Sequence, residues 1–236
     1  MVTPITPEHA ANISKVLQSY KDKYGLDLNY MKFTADPTLR GRLIVFEGID
    51  GTGKSTQIKL LAQYLQERGI EVVTDCEPTR GEWGMKVRNA ALSGERLSLE
   101  EEIHCLLQDR REHVSEFIEP ALNRGAWVLL DRYYLSMMAY QGATGVNVED
   151  LRQMNEEFAI IPDVAFWLDI PVEMAMERVN VRGNDKDAFE IEPFLQACST
   201  IYSSMKIPWL FRIKADGEIH ETQARVREII CSELGV

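Results

Sequence analysis

The stretch FEGIDGTGKSTQ, Phe46 to Gln57, sets Gly48, Gly53, Lys54 and Ser55 in the fixed places of G-x-x-x-x-G-K-[ST]. Its flanks supply the context that such a motif requires. RLIVFE (42–47) reads as a buried strand and KSTQIKLLAQYLQ (54–66) as an amphipathic helix. Glycines there let successive backbone N–H groups converge on phosphate oxygens, at a helix N-terminus that already favours anions. Gly48, Gly51, Thr52, Gly53 and Thr56 are the candidate cradle. Lys54 is expected to reach the β- and γ-phosphates of ATP, and Ser55 to ligate Mg²⁺.

Working outward, short apolar runs suited to buried strands recur at 43–46, 70–74, 126–130, 164–168 and 209–213. Helical patterns separate them at about 54–68, 85–93, 99–123, 133–141, 148–159, 172–182, 190–204 and 220–234. The first is closed by Gly69, and the third opens with a capping box, Ser98 followed by Glu101. Five strands alternating with crossover helices predict an α/β fold: a five-stranded parallel sheet with helices on both faces. Residues 1–40 read as an N-terminal helical extension to a main domain at 41–236. Its helix starts at Thr6-Pro7-Glu8 and carries Ile13, Val16, Leu17, Tyr20 and Tyr24 at helical spacing.

The chain has 236 residues, 45% of them hydrophobic, enough for a sizeable core. No run approaches 18 apolar residues, and the N-terminus lacks the marks of a secretory or mitochondrial leader. Neither the four cysteines nor the four histidines fall at metal-ligand spacing, so the thiols read as buried and free, which suits the cytoplasm. A net charge of −11 speaks against a nucleic-acid partner. An anionic small substrate must then be held by individually placed donors.

Four further segments carry a resemblance: CEPTRG (76–81), LLQDRREHVSEFIEPAL (106–122), LLDRYYLSMMAYQGATG (129–145) and PDVAFWLDIPVEMAMERV (162–179). In this order and spacing after the phosphate loop, the chain resembles the thymidylate (dTMP) kinases, P-loop nucleoside monophosphate kinases. The resemblance covers roughly Arg42 to the C-terminus. It implies phosphoryl transfer from Mg²⁺-ATP to dTMP, small-molecule nucleotide partners and a homodimer. The residues agree with it. Asp131-Arg132 ends the third strand at the carboxyl edge, where ligands of open α/β sheets bind. There Arg132 can hold the acceptor phosphate through paired charge-assisted bonds, while Asp131 orients a water on Mg²⁺. Arg80 is the second phosphate candidate. The resemblance implies that Asp50 faces the acceptor phosphate or 3′-hydroxyl, that Arg110 reads the pyrimidine edge, and that Gln141 lies beside the base.

Two departures stand out. Leu106 occupies the place of a Phe that stacks on thymine in the family, so an apolar face remains without an aromatic plane. Tyr133, Tyr134 and Trp83 are the candidate substitutes. Gly51 stands where some members carry an arginine, which transfers the burden of positive charge to a lid at about 182–190, with Arg182, and to Arg178 or Lys186. Leu106 keeps a second acceptor set open (dUMP, a modified dUMP or dCMP), and the unusual lid keeps a nucleotide-binding switch or inactive homologue open.

Overall fold

The computed structural model describes residues 40–94, 97–181 and 192–236. The helix expected from Thr6, and the lid with Arg182 and Lys186, lie outside the described residues.

All five expected strands form: β1 (Leu43–Glu47), β2 (Val72–Cys76), β3 (Trp127–Asp131), β4 (Val164–Asp169) and β5 (Leu210–Lys214). They make one all-parallel sheet in the order β2-β3-β1-β4-β5. Each strand runs one or two residues past the apolar run that announces it. The added residues include Glu47, Cys76, Asp131, Asp169 and Lys214. Their backbones still pair in the ladder, while their side chains emerge at the carboxyl edge where apolar patterning has ended. β2 also begins late, because the Ile70 amide is committed to Leu65 in the turn that closes the preceding helix.

The helices are α1 (Lys54–Gln66), α2 (Glu82–Ser93), α3 (Leu99–His113), α4 (Glu119–Asn123), α5 (Tyr134–Ala143), α6 (Val148–Glu156), α7 (Val172–Val181), α8 (Glu192–Ser204) and α9 (Ile219–Leu234). α2 starts three residues before its apolar periodicity does, after an extended Gly81. The capping box opens α3: the Glu101 amide donates to Ser98 Oγ at 3.3 Å, and the Ser98 amide to Glu101 Oε2 at 3.0 Å. The long helix expected over 99–123 is continuous in path but widens into a π turn at Val114–Ile118 before α4. Pro120 explains it, since a proline has no N–H to give and its ring collides with the carbonyl four residues back.

Every residue of β1 is buried, and successive strand residues face opposite sides, so both faces of the sheet are covered. The central strands meet through Phe46 and Phe166, with ring centroids 5.1 Å apart. α1 packs with α9, and α5 packs with α6 and α8. Among the described residues no helix is long and apolar enough to cross a membrane. Of the cysteines, expected to be buried and free, all four are free, but Cys76 is half-buried and Cys231 is exposed.

Candidate active site

β1 lies between β3 and β4, where successive connections leave in opposite directions and open a crevice at the carboxyl edge. The phosphate loop fills that point. Gly48, Gly51 and Gly53 all take positive φ (132°, 85° and 94°). A Cβ on Gly51 would stand 2.3 Å from the Ala175 carbonyl oxygen on α7. This backbone therefore has no room for a side chain at position 51, which gives the missing arginine a steric counterpart. Thr52 locks the loop from inside, its Oγ1 donating to Ile49 O at 3.0 Å.

Lys54 is buried beneath the loop and donates to the carbonyls of Gly48 and Ile49, both at 3.1 Å. Its ammonium lies 3.6 Å from Asp50 and 3.9 Å from Asp131. Burial and the neighbouring Arg132 lower its pKa, while Asp131 and Asp50 resist that shift. Ser55 Oγ donates to Asp131 Oδ2 at 2.7 Å. A hydroxyl and a carboxylate in contact at the mouth of the loop are hard oxygen donors suited to Mg²⁺, which binds few protein groups and keeps its waters. Among the described residues no cluster of three or more His, Cys, Asp or Glu forms a rival metal cage.

Arg132 is the one non-glycine residue with positive φ, 72°, among the described residues. Two bonds pin this turn: the Arg132 amide to Phe46 O (2.9 Å) and the Tyr133 amide to Glu47 Oε1 (3.0 Å). The guanidinium then donates to Asp50 Oδ1 (2.7 Å), Tyr140 Oη (3.0 Å) and Ser136 Oγ (3.1 Å). Behind it, fully buried Glu47 accepts from Ser136 Oγ (2.5 Å) and Tyr202 Oη (3.0 Å). Burial drives the Glu47 carboxyl up to about 7, against the pull of Ser136 and Arg132. Burial also opposes ionisation of Asp50, but Arg132 and Lys54 overrule it and hold that carboxyl well below the usual range.

Beside Arg132 opens a cavity of about 340 Å³. Pro78, Val87, Ala91, Leu106 and Met137 give it an apolar wall, with Asp50 and Arg132 at one end and Arg110, Glu102 and Gln141 among its polar lining. Arg110 is 2% exposed, yet fully committed on one side. Its Nε donates to Glu77 Oε2 at 2.8 Å, Nη2 lies 2.6 Å from the same oxygen, and Nη1 donates to Asn155 Oδ1. Gln141 is equally buried. Its Nε2 donates to Glu102 Oε1 at 3.2 Å, and its Oε1 has no hydrogen-bond partner among the described residues.

The structure thus brings together Asp50, Leu106, Arg110, Arg132, Tyr133 and Gln141. It does not bring Arg80, which is exposed and outside the cavity lining. The cation that this segment does contribute is Arg88, held by the Pro78 carbonyl (Nε at 2.8 Å). Of the candidate substitutes for an aromatic plane, only Tyr133 lines the cavity. Tyr134 turns away to Glu156 and Trp209, and Trp83 to Glu112 and His104.

Proteins of known family are similar to most of this chain. A family model described as thymidylate kinase matches residues 46–226. A thymidylate kinase of Akkermansia muciniphila is 58% identical over 200 residues, which are 85% of this chain and 95% of that protein. The chain belongs to the thymidylate kinase family. The thymidylate kinase of Desulfotalea psychrophila is 46% identical over 191 residues (80% of this chain, 93% of that protein). That of Xanthomonas campestris is 40% identical over 201 residues, 85% of this chain and 88% of that protein.

In this member of the thymidylate kinase family a second cavity, of about 190 Å³, lies on the far side of the loop. Gly51, Thr52, Gly53, Thr56 and Arg178 line it with Ile219 and Thr222 of α9. Arg178 leans on the carbonyls of Gly51 and Ala215, each at 3.5 Å. Several residues of the site escape a sequence reading: Glu47, Glu77, Arg88, Glu102, Ser136 and Tyr140. The available signal was acid placement, since Glu47 and Glu77 each end or follow an apolar strand, where an unpaired carboxylate would be costly.

Proposed function

We propose that the chain transfers the γ-phosphoryl group of ATP to dTMP, giving dTDP. The observation that carries the base assignment is the pairing of Arg110 with the unpartnered Oε1 of Gln141 in one cavity. Arg110 has five N–H donors; the one on Nε and one on Nη2 meet Glu77, and the two on Nη1 meet Asn155 and Met137, so Nη2 retains one to offer. A donor beside an acceptor complements the O4 and N3–H edge of thymine or uracil. Cytosine presents the reverse, an N3 acceptor and an N4 donor. The apolar wall of Leu106, Val87, Ala91 and Met137 suits the thymine 5-methyl, so the loss of an aromatic plane at Leu106 does not by itself redirect the enzyme to another base.

At the other end of the cavity Arg132 receives the 5′-phosphate. A phosphate monoester is mostly a dianion at neutral pH, so its oxygen attacks the γ-phosphorus without losing a proton. The new O–P bond forms as the bond to the β-bridging oxygen breaks, and ADP leaves. Catalysis is positioning plus neutralisation of charge, carried by Lys54 at the β- and γ-phosphates, Arg132 at the acceptor, and Arg178 or Arg182 on the donor side. Asp50 holds Arg132 in place on the acceptor side of the loop. Ser55 and, through water, Asp131 would hold Mg²⁺, which supplies charge neutralisation of the triphosphate. The reading includes a homodimer, as the resemblance implies, and a place in the cytoplasm, which free thiols suit.

An acceptor panel tests it. With saturating Mg²⁺-ATP, kcat/KM is expected to be highest for dTMP, about tenfold lower for dUMP, and lower by about a hundredfold or more for dCMP. Equal use of dCMP and dTMP, or no diphosphate from either, rejects the assignment.

A further inference from the structure

We propose that Glu102 is a specificity-determining positioning residue: its carboxylate fixes which end of the Gln141 amide faces the base. The inference rests on the base-reading role given to Gln141 above.

A glutamine amide has two nearly isosteric orientations, one presenting an acceptor and the other a donor. Which one a substrate meets must be decided by the protein. Here Gln141 Nε2 donates to Glu102 Oε1 at 3.2 Å, while Gln141 Oε1 has no partner among the described residues. A carboxylate accepts and never donates, so the flipped amide would set oxygen against oxygen. Glu102 is 9% and Gln141 2% exposed, so water is poorly placed to repair such a clash. Both backbones are fixed. The Glu102 amide donates to Ser98 O at 2.9 Å in the capped first turn of α3, where a carboxylate is electrostatically favoured. The Gln141 carbonyl accepts from Thr144 Oγ1 at 2.7 Å near the end of α5. Two helices, joined by a side-chain contact 39 residues apart in sequence, therefore set the polarity of one atom in the cavity. The ligand class this selects is a 4-oxo pyrimidine, which brings an N3–H donor to an obligate acceptor.

Glu102→Gln retains shape but replaces an acceptor-only group with one that can also donate, releasing the Gln141 amide to turn. Steady-state kinetics on the full chain, with dTMP and dCMP as alternative acceptors, read the effect. Glu102→Gln is expected to raise KM for dTMP about tenfold with kcat within about threefold, and to narrow the dTMP-to-dCMP preference about tenfold. In a Gln141→Ala background the same substitution is expected to add nothing, which a purely structural role would not produce. Glu102→Ala, which removes the acceptor without adding a donor, is expected to narrow the preference likewise and decides the matter if Glu102→Gln does not fold. A preference retained in the folded Glu102 variant, or lost equally with and without Gln141, overturns the inference. If Gln141→Ala itself keeps the preference, the base-reading assignment falls and the inference with it. If Gln141→Ala loses the preference and the Glu102 variants do not, the inference alone falls.

Discussion

At the scale of single residues, charge at this site is held by mutual constraint. Arg132 sits in a left-handed turn that few side chains adopt willingly, and its guanidinium is shared among Asp50, Tyr140 and Ser136. Burial works against its charge, but Asp50 more than restores it, so it is a permanent cation. Arg132→Ala is expected to raise the dTMP KM about tenfold to a hundredfold, as the loss of a hydrogen bond to a charged group implies. Steady-state kinetics with dTMP varied would show it, and unchanged KM and kcat would remove Arg132 from the acceptor site. Lys54→Ala is expected to lower kcat by about a hundred- to a thousandfold, as for other donors aimed at transition-state charge. Gly51 closes the alternative route to positive charge, since the Ala175 carbonyl occupies the space that a side chain would need.

The element that joins the cavity beside Arg132 to stability is α3 with the π turn that ends it. Arg110 and His113 both reach Glu77 from this helix, Arg110 through Nε at 2.8 Å and His113 through Nδ1 at 3.0 Å. Asp75 Oδ2 faces the other ring nitrogen at 3.5 Å, and Asp109 adds a weaker negative field. Burial lowers the His113 pKa, but the Glu77 bond and charge outweigh it, and the net shift is upward from 6.5. Burial likewise raises Glu77, yet Arg110 and His113 bring it below 4.5. A raised histidine stabilises fully below its unfolded value, and that contribution is lost as pH rises through the folded one. A depressed glutamate stabilises above its unfolded value, and its contribution is lost as pH falls. Glu47, raised from 4.5 to about 7, adds a second contribution, present in full below 4.5 and lost as pH climbs from there through about 7. Unfolding free energy in urea is therefore expected to fall from about pH 4.5 to pH 7 as Glu47 ionises, and to go on falling above pH 6.5 until folded His113 has lost its proton. The fall should be shallower in His113→Gln and, separately, in Glu47→Gln. Parallel slopes in wild type and both variants would rule this out.

Across the whole molecule, the sheet order places the loop between two cavities, with Arg132 on one side and Arg178 on the other. That arrangement depends on β1 and β4 staying fixed at the centre. Phe166 is fully buried against Phe46, and Phe166→Ala is expected to cost about 3–5 kcal/mol of global stability, measured by urea unfolding. A much smaller loss would mean that the centre relaxes around the cavity. The outer strands are different. β2 and β5 are less buried than the central strands, and the limits of β2 differ most from its apolar run, by two residues at each end.

Much of this was legible without coordinates. Strand, glycine-rich loop and helix around Lys54, the capping box at Ser98, and the parallel α/β class all follow from local patterns, because backbone hydrogen bonding and burial repeat at short, fixed spacings. Asp50, Arg110, Arg132 and Gln141 were placed by motif. What no local pattern encodes is which polar atom each finally meets. Arg132 finds Asp50 across 82 residues, Arg110 finds Glu77 across 33, and Gln141 finds Glu102 across 39. Arg80 and Arg88 lie on one short segment, and only the packing of α2 decided that Arg88 faces the cavity. Residue types and their spacing fixed the phosphate chemistry. Only the tertiary structure decided that Gln141 turns its Nε2 to Glu102 and leaves its Oε1 without a partner among the described residues, because the helices that carry the two residues are brought together by packing and not by local pattern.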